Sequence, residues 1–123
     1  MKRKGEPIMP EAIICGGRDY IPSASVLRRL REALAEHEIS AVHHGDARGV
    51  DRYVGKVCEN WGYRVVRHPA DWDTHGRAAG MIRNAEMLEE LAVAVVFVFE
   101  GGVGTADMER RAREAAVFVE RIA

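Results

Sequence analysis

The chain has 123 residues and a formal net charge of −1. This length fits one domain with one hydrophobic core and leaves little for a lid or a second domain. Its 47% hydrophobic and 30% charged residues are typical of a soluble globular protein. The near-neutral charge disfavours a general nucleic-acid binder, because such proteins usually carry a strong basic excess.

The sequence also argues against membrane and secreted proteins. The longest apolar run, residues 91–99, is shorter than the roughly 20 residues that a bilayer requires. The basic N-terminus is not followed by an apolar segment, as a secretory signal would be. Cys15 and Cys58 form neither a CxxC motif nor a disulfide framework. We therefore expect a cytoplasmic protein that makes no membrane contact.

Residues 1–10 are predicted to form a mobile tail, and residues 11–123 a single domain. Within this domain short apolar runs alternate with stretches of helical periodicity. In chain order the predicted elements are a strand at 12–15, a helix at 23–38 capped by Ser23 or Ser25, a strand at 40–44, a helix through 50–61, a strand at 63–68, a helix at 76–91, a strand at 92–99, a helix at 105–115 and an edge strand at 116–120.

Each predicted helix has one apolar face. The inward residues are Val26, Leu27, Leu30, Ala33 and Leu34 in the first, Val50, Val54, Val57, Cys58 and Trp61 in the second, Met81, Ile82, Ala85 and Leu88 in the third, and Met108, Ala112 and Ala115 in the fourth. The strict alternation predicts an α/β fold, a Rossmann-like parallel sheet of about five strands with helices on both faces. In such a sheet every strand-to-helix loop emerges at the same edge, where ligands bind.

Four loops share that edge, at residues 16–20, 45–51, 69–73 and 100–105. Three contain glycine, which lets backbone N–H groups approach a ligand closely. Helix N-termini follow the loops and favour an anion, and Arg18 and Arg48 could bind a phosphate in a bidentate way. The candidate ligand-binding residues in these loops are Gly16, Gly17, Arg18, Gly45, Asp46, Ala47, Arg48, Asp51, Asp71, Trp72, Gly101, Gly102, Gly104 and Thr105.

Structural roles are open for the same residues. The glycines could simply form tight turns, and Asp51 or Thr105 could cap a helix. Trp72 could stack on a base or cover the sheet edge. No GxxxxGK[ST] or GxGxxG motif is present, so neither a P-loop NTPase nor an NAD fingerprint is indicated.

Histidine and cysteine provide weaker candidates. His43 and His44 end a strand and favour packing or surface positions over ligand binding. The spacing of His68 and His75 fits no metal motif. Cys15 at a strand end favours a buried, inert thiol. We expect no metal site and no cofactor, although Mg²⁺ could accompany a nucleotide.

Five ordered motifs give the chain a family resemblance over about residues 11–120. They are GRDY at 17–20, HGDARGVD at 44–51, PADW at 69–72, AGMIRN at 79–84 and GGVGTADM at 101–108. In these motifs the chain resembles the YspA, cpYpsA-related branch of the SLOG superfamily, which also groups the DNA-processing protein DprA (Smf) and the Lonely Guy proteins on a Rossmann-like fold.

The resemblance implies a nucleotide or nucleotide-derived ligand. Lonely Guy proteins are phosphoribohydrolases, which release a base from a nucleoside monophosphate and use a PGGxGTxxE motif with an upstream arginine in an Arg-Lys pair. Arg83 matches that arginine and Asn84 replaces the lysine, which adds both to the ligand-binding candidates. Met108 replaces the catalytic glutamate, and Asp107 and Glu109 point about 100° away from its position on a helix.

Three functions remain to be compared. The first is a module that binds or senses a nucleotide-type ligand. The second is a Lonely Guy-like phosphoribohydrolase or N-glycosidase, for which Asp46, Asp51, Asp71 or Glu100 would have to supply the carboxylate. The third, binding of single-stranded nucleic acid, is disfavoured by the charge and by the sparse aromatic residues. We favour the first, leave open whether any bond is cleaved, and expect a homo-oligomer by analogy.

Overall fold

The computed structural model describes residues 9–123, so that most of the predicted N-terminal tail lies outside the described residues. The elements are β1 (Glu11–Cys15), α1 (Ala24–Glu36), β2 (Ala41–His44), α2 (Val50–Asn60), β3 (Arg64–Arg67), α3 (Trp72–His75), a 3₁₀ turn (Gly76–Ala78), α4 (Ala79–Glu90), β4 (Val93–Val98), α5 (Val103–Glu114) and β5 (Phe118–Arg121). In this part of the chain no helix combines the length and the apolarity needed to cross a membrane.

The strands form one five-stranded sheet in the order β3-β2-β1-β4-β5. All four neighbouring pairs are parallel. This confirms the predicted fold class, with strand limits that differ from the prediction by one or two residues. The chain runs outward from β1 to β3 and then returns to β4 beside β1. Strand order therefore reverses between β1 and β4, where loops diverge and leave a crevice at the carboxyl ends of the strands.

Helices cover both faces of the sheet. Alternate residues of β1 face opposite sides, with Ala12 and Ile14 packed under α1 and α2, and Ile13 under α4 and α5. The first face carries the larger core, which includes most of the predicted inward residues of α1 and α2, namely Val26, Leu30, Ala33, Leu34, Val50, Val54 and Cys58. The predicted Leu27 and Trp61 are partly buried against this core, and Val57 is partly exposed and not among its members. Ser23 caps α1, since its hydroxyl accepts a hydrogen bond from the Val26 N–H at 3.3 Å.

The predicted inward face of α4 is wrong. Met81 is 40% exposed, and Ile82, Ala85 and Leu88 are only partly buried. Buried instead are Ala79, Asn84 and Met87. Polar contacts between α4 and α5 explain this orientation of α4. The Asn84 amide donates hydrogen bonds to Gly104 and Asp107 of α5, and so the Asn84 side of α4 faces inward.

Local backbone features shift two other helices. The short helix α3 was not predicted; Asp71 caps it where a loop was expected, and it ends at Gly76, which has a φ of 55°. The predicted third helix therefore begins as the 3₁₀ turn Gly76–Ala78 and becomes α-helical only from Ala79. Helix α5 begins at Val103 rather than at Thr105, and the predicted inward Ala115 is exposed because it lies past the last helical turn.

Candidate functional site

A cavity of about 1160 Å³ opens at the carboxyl edge of the sheet, and all four strand-to-helix loops contribute to it. We call it the main cavity. It is lined by every predicted ligand-binding residue except Asp71, namely Gly16, Gly17, Arg18, Gly45, Asp46, Ala47, Arg48, Asp51, Trp72, Arg83, Asn84, Gly101, Gly102, Gly104 and Thr105. The Asp71 carboxylate instead accepts a hydrogen bond from the Thr74 N–H at 3.1 Å and caps α3.

Some loop glycines are required by packing. The Gly17 N–H donates to the Glu100 carbonyl at 2.8 Å, and the Gly17 carbonyl accepts from the Val50 N–H at 3.1 Å. A side chain at Gly16 would begin 2.6 Å from Val50. Gly49, with a φ of 84°, leaves no room for a Cβ beside the Gly17 carbonyl. These contacts hold the first, second and fourth loops together as one rigid wall.

Gly102 and Gly104 differ from these packed glycines. A Cβ added at either position would meet no atom within 4 Å, and neither has a positive φ. Packing therefore does not require glycine there. Gly102 supplies no side-chain cap to α5, and the N–H groups of Val103, Gly104 and Thr105 have no acceptor among the described residues. The free N-terminus of α5 thus faces open space and favours an anion.

Arg83 of α4 brings positive charge across the cavity to the second loop. Its Nη1 donates hydrogen bonds to the carbonyls of Gly45 and of His68, the latter at 3.1 Å, and its Nε donates to Asn84 Oδ1 at 3.0 Å. A Cβ at Gly45 would collide with the guanidinium. Burial lowers the pKa of Arg83, while the nearby Asp51 carboxylate opposes that shift.

Asn84 links Arg83 to the first turns of α5. Its Nδ2 donates to the Gly104 carbonyl at 3.3 Å and to Asp107 Oδ2 at 3.1 Å. Burial alone would raise the pKa of Asp107, but hydrogen bonds from Asn84 and Arg111 hold it below its usual value. Asn84 is therefore a positioning residue, which fixes the arginine relative to the N-terminus of α5.

Asp51 organises the second loop rather than capping α2 in the usual way. Its Oδ2 accepts hydrogen bonds from the N–H groups of Gly45 at 3.1 Å and Ala47 at 3.3 Å. Only 6% of Asp51 is exposed, and this burial raises its pKa to about 6 against those hydrogen bonds. Asp46 adopts a φ of 57°, and Arg52 Nε donates to its carbonyl at 3.0 Å.

Sequence reasoning missed several lining residues. Two are arginines: Arg52 in the first turn of α2 and Arg77 just before α4. A basic residue in the first turn after a glycine loop is the signal that could have indicated Arg52. The others of note are Met81 and Val103, which form an exposed apolar rim with the predicted Trp72.

His43, His68 and Cys15 make their side-chain contacts within the protein. His43 is buried, donates from Nε2 to Glu11 at 2.7 Å, and has its Nδ1 2.8 Å from His68 Nε2. The Cys15 thiol lines the cavity, but burial raises its pKa and disfavours the thiolate. Residues 9–123 contain no cluster of three or more side chains suited to a metal ion.

The position of the Lonely Guy glutamate holds no carboxylate. Met108 of α5 is 1% exposed, belongs to the core cluster that includes Ile13 and Met87, and contributes an apolar side chain to the lining of the main cavity. Its acidic neighbours are bound elsewhere: Asp107 by Arg110 and Arg111, and Glu109 by Arg113 and Arg121. Neither neighbour lines the main cavity.

The fold and the site together define a Rossmann-like α/β protein with a glycine- and arginine-lined cavity where its strand order reverses. The model of the YspA, cpYpsA-related SLOG family matches residues 10–75. The Gene 61 protein of Mycobacterium phage D29 is 32% identical over 120 residues, which cover 89% of this chain and 93% of the phage protein. The chain therefore belongs to the YspA, cpYpsA-related SLOG family, as its motifs indicated. No solved structure matches it significantly.

Proposed function

We propose that this protein binds or senses a nucleotide or nucleotide-derived ligand in the main cavity. Family membership points to a nucleotide-related function. The observation that carries the proposal is the open space around Gly102 and Gly104, beside three N–H groups that have no acceptor among the described residues. Glycine at both positions leaves room for a phosphate to approach the N-terminus of α5.

The charges of the cavity support a phosphate there. Arg48 is paired with Asp19 at 3.2 Å, and Arg52 with Asp46 at 3.3 Å. Three further lining arginines, Arg18, Arg77 and Arg83, form no ion pair within the described residues. Arg18 and Arg77 have no hydrogen-bond partner among the described residues and can bind a phosphate in a bidentate way, which complements the N–H groups of α5. Arg83 contributes its charge and Nη2, because its Nε and Nη1 already donate to the protein.

The apolar rim supports a ligand with a base. Trp72 is 51% exposed, and its ring lies 3.6 Å from the position of a Cβ at Gly80. Together with Met81 it offers a surface on which a flat ring can stack. We assign the phosphate to the α5 end of the main cavity and the base to Trp72 and Met81.

The phosphoribohydrolase alternative receives less support. It needs a carboxylate near the sugar, and buried Met108 occupies the position of the Lonely Guy glutamate. Asp51 lines the cavity, but its Oδ2 already accepts two loop N–H groups. Asp46 and Glu100 also line the cavity, and Asp46 is paired with Arg52. Ligand binding is therefore the first candidate function, and cleavage by one of these carboxylates is the second.

Calorimetry of the full chain with nucleoside monophosphates, cyclic nucleotides and ADP-ribose tests the proposal. We expect saturable binding of at least one compound. This binding should be lost in Gly104→Leu, which fills the open space, and kept in Ala35→Leu, which places the same side chain at an exposed site on α1. The absence of binding to every compound by folded wild-type protein would overturn it. Chromatography of the same mixtures for free base decides whether a bond is cleaved.

We also propose that the protein forms a homo-oligomer and resides in the cytoplasm. The exposed rim of Trp72, Met81 and Val103 supports association, because large apolar side chains grouped at a cavity mouth favour contact with a second surface. Analytical ultracentrifugation tests the assembly state, and a monomer at all concentrations would contradict it.

A further inference from the structure

A second, smaller pocket of about 300 Å³ lies next to the main cavity. We call it the His44 pocket. It is lined by His44, Asp46, Arg52, Lys56, Glu59 and Arg67. Asp46 and Arg52 line both pockets, so they form the wall between the two.

The floor of this pocket is a buried histidine with a free donor. The Asp46 N–H donates to His44 Nδ1 at 2.9 Å, which places the hydrogen of the neutral ring on Nε2. His44 is only 3% exposed, and burial lowers its pKa to about 4, so the ring is neutral at physiological pH. No described residue accepts a hydrogen bond from Nε2.

Gly55 makes this placement possible. A Cβ at Gly55 would lie 2.6 Å from His44 Nε2, so the missing side chain lets the ring edge lie directly against α2. His44 Nε2 is not fully buried, because no fully buried side-chain polar atom of the described residues lacks a partner. Since His44 lines the pocket, we infer that this donor is reached from the pocket.

Basic side chains surround that donor. Arg67 is the register partner of His44 on the neighbouring strand, so both side chains project from the same face of the sheet. Arg52 and Lys56 are four residues apart on α2 and share one side of that helix. Within the described residues neither Lys56 nor Arg67 forms an ion pair.

Two carboxylates limit the positive charge. Asp46 is already paired with Arg52 at 3.3 Å, and Glu59 stands alone on the wall. The pocket therefore carries three cationic side chains against two carboxylates, together with an unpaired neutral N–H. The ligand that suits this pocket best is a multiply charged anion with several oxygen atoms, because these oxygens can accept hydrogen bonds from several of the donors at once.

We propose that the His44 pocket is a separate phosphate-binding site in which His44 Nε2–H, Lys56 and Arg67 donate to the oxygens of one phosphate group. That group is either a free phosphate ion or a second phosphate of the ligand in the main cavity, which the shared Asp46–Arg52 wall brings within reach. The site does not depend on the proposed nucleotide function, because its donors lie outside the main cavity.

Imidazole NMR of the full chain, labelled with ¹⁵N at histidine, tests this site. Titration with inorganic phosphate at constant ionic strength and neutral pH is expected to give a saturable shift at His44 Nε2. Arg67→Gln and Lys56→Gln should each weaken the affinity about tenfold, the effect of one lost charge-assisted hydrogen bond. Glu59→Gln should strengthen it, and Arg28→Gln, an equal loss of charge on α1, should leave it unchanged.

The same titration separates the two sources of phosphate. Gly104 lines the main cavity but not the His44 pocket. In the Gly104→Leu variant, free phosphate should therefore still shift the Nε2 resonance of His44. One pair of results identifies the group in the His44 pocket as the second phosphate of a main-cavity ligand. A nucleoside bisphosphate then shifts the His44 resonance at a lower concentration than free phosphate does, and this difference disappears in Gly104→Leu. A His44 shift that rises linearly with phosphate concentration and does not saturate would overturn the proposal. So would equal phosphate affinities of wild type, Arg67→Gln and Lys56→Gln, whatever binds in the main cavity.

Discussion

The guanidinium of Arg83 occupies the space in which a side chain at Gly45 would begin. From there Nη1 reaches the carbonyls of both Gly45 and His68, and so ties α4 to the loops after β2 and β3. The arginine and the glycine therefore form one feature, although 38 residues separate them. Glycine at position 45 therefore makes room for the Arg83 side chain rather than for the ligand.

Gly45→Ala should displace Arg83 and weaken ligand binding. The added methyl group forces the guanidinium to move, which breaks its hydrogen bonds to the carbonyls of Gly45 and His68. We therefore expect a loss of about 1–3 kcal/mol in the free energy of unfolding from these lost hydrogen bonds. Urea denaturation measures that loss, and calorimetry measures the affinity. Gly80→Ala is the steric control, since its Cβ would lie 3.9 Å from the same guanidinium, and its stability should not fall. Equal stability of Gly45→Ala and wild type would contradict the assigned contact.

Gly104→Ala should stabilise the protein while weakening its binding of ligand. Gly104 is helical, lies in α5 and has open space around it, so alanine should raise the free energy of unfolding by about 0.5–1 kcal/mol. The same methyl group intrudes on the space assigned to a phosphate. Thermal unfolding and nucleotide calorimetry of one preparation measure both effects. An alanine variant that is more stable and binds as tightly as wild type would show that the ligand does not approach residue 104.

The sequence predicted the placement of the site better than its internal contacts. Loops at residues 16–20 and 100–105 could be assigned to one edge because strand and helix alternate strictly, and parallel strands direct such loops to the same side. The two kinds of glycine could not be separated, because Gly101 and Gly102 are adjacent in sequence. Only the fold shows that a side chain at Gly101 would collide with Thr105 while one at Gly102 would meet nothing.

The orientation of α4 shows a second limit of sequence reasoning. Met81, Ile82, Ala85 and Leu88 follow helical spacing and predict the buried side. The partner of Asn84 is Asp107, 23 residues further along the chain, and no local pattern indicates that pair. A buried polar contact between α4 and α5 therefore determines which side of α4 faces inward, and Met81 is left on the exposed side.

Asn84→Ala should lower both stability and affinity. The change removes the donor to the Gly104 carbonyl and the acceptor for Arg83 Nε, and we expect a loss of about 1–3 kcal/mol in the free energy of unfolding from the unpaired groups. Affinity should fall because Arg83 is no longer fixed relative to α5. Glu86→Ala, an exposed change on the same helix, should alter neither quantity. A loss of stability with unchanged affinity would leave Asn84 a purely structural residue.

Asp51 should make stability depend on pH in a way that Asp51→Asn removes. Burial raises its pKa from 3.8 to about 6, so the folded state favours the protonated carboxyl. Its contribution is fully present below about pH 4 and is lost as the pH rises through 6. Ionisation should therefore destabilise wild type by about 2–3 kcal/mol relative to Asp51→Asn, whose amide oxygen can still accept from Gly45 and Ala47.

A second group, His44, changes the free energy of unfolding in the opposite direction over this pH range, because its pKa is lowered in the folded state. Both proteins contain His44, so its contribution cancels in the difference between them. Urea unfolding of both proteins at several pH values between about 4 and 7 measures that difference. It should grow with pH, and a constant difference would show that Asp51 is ionised throughout.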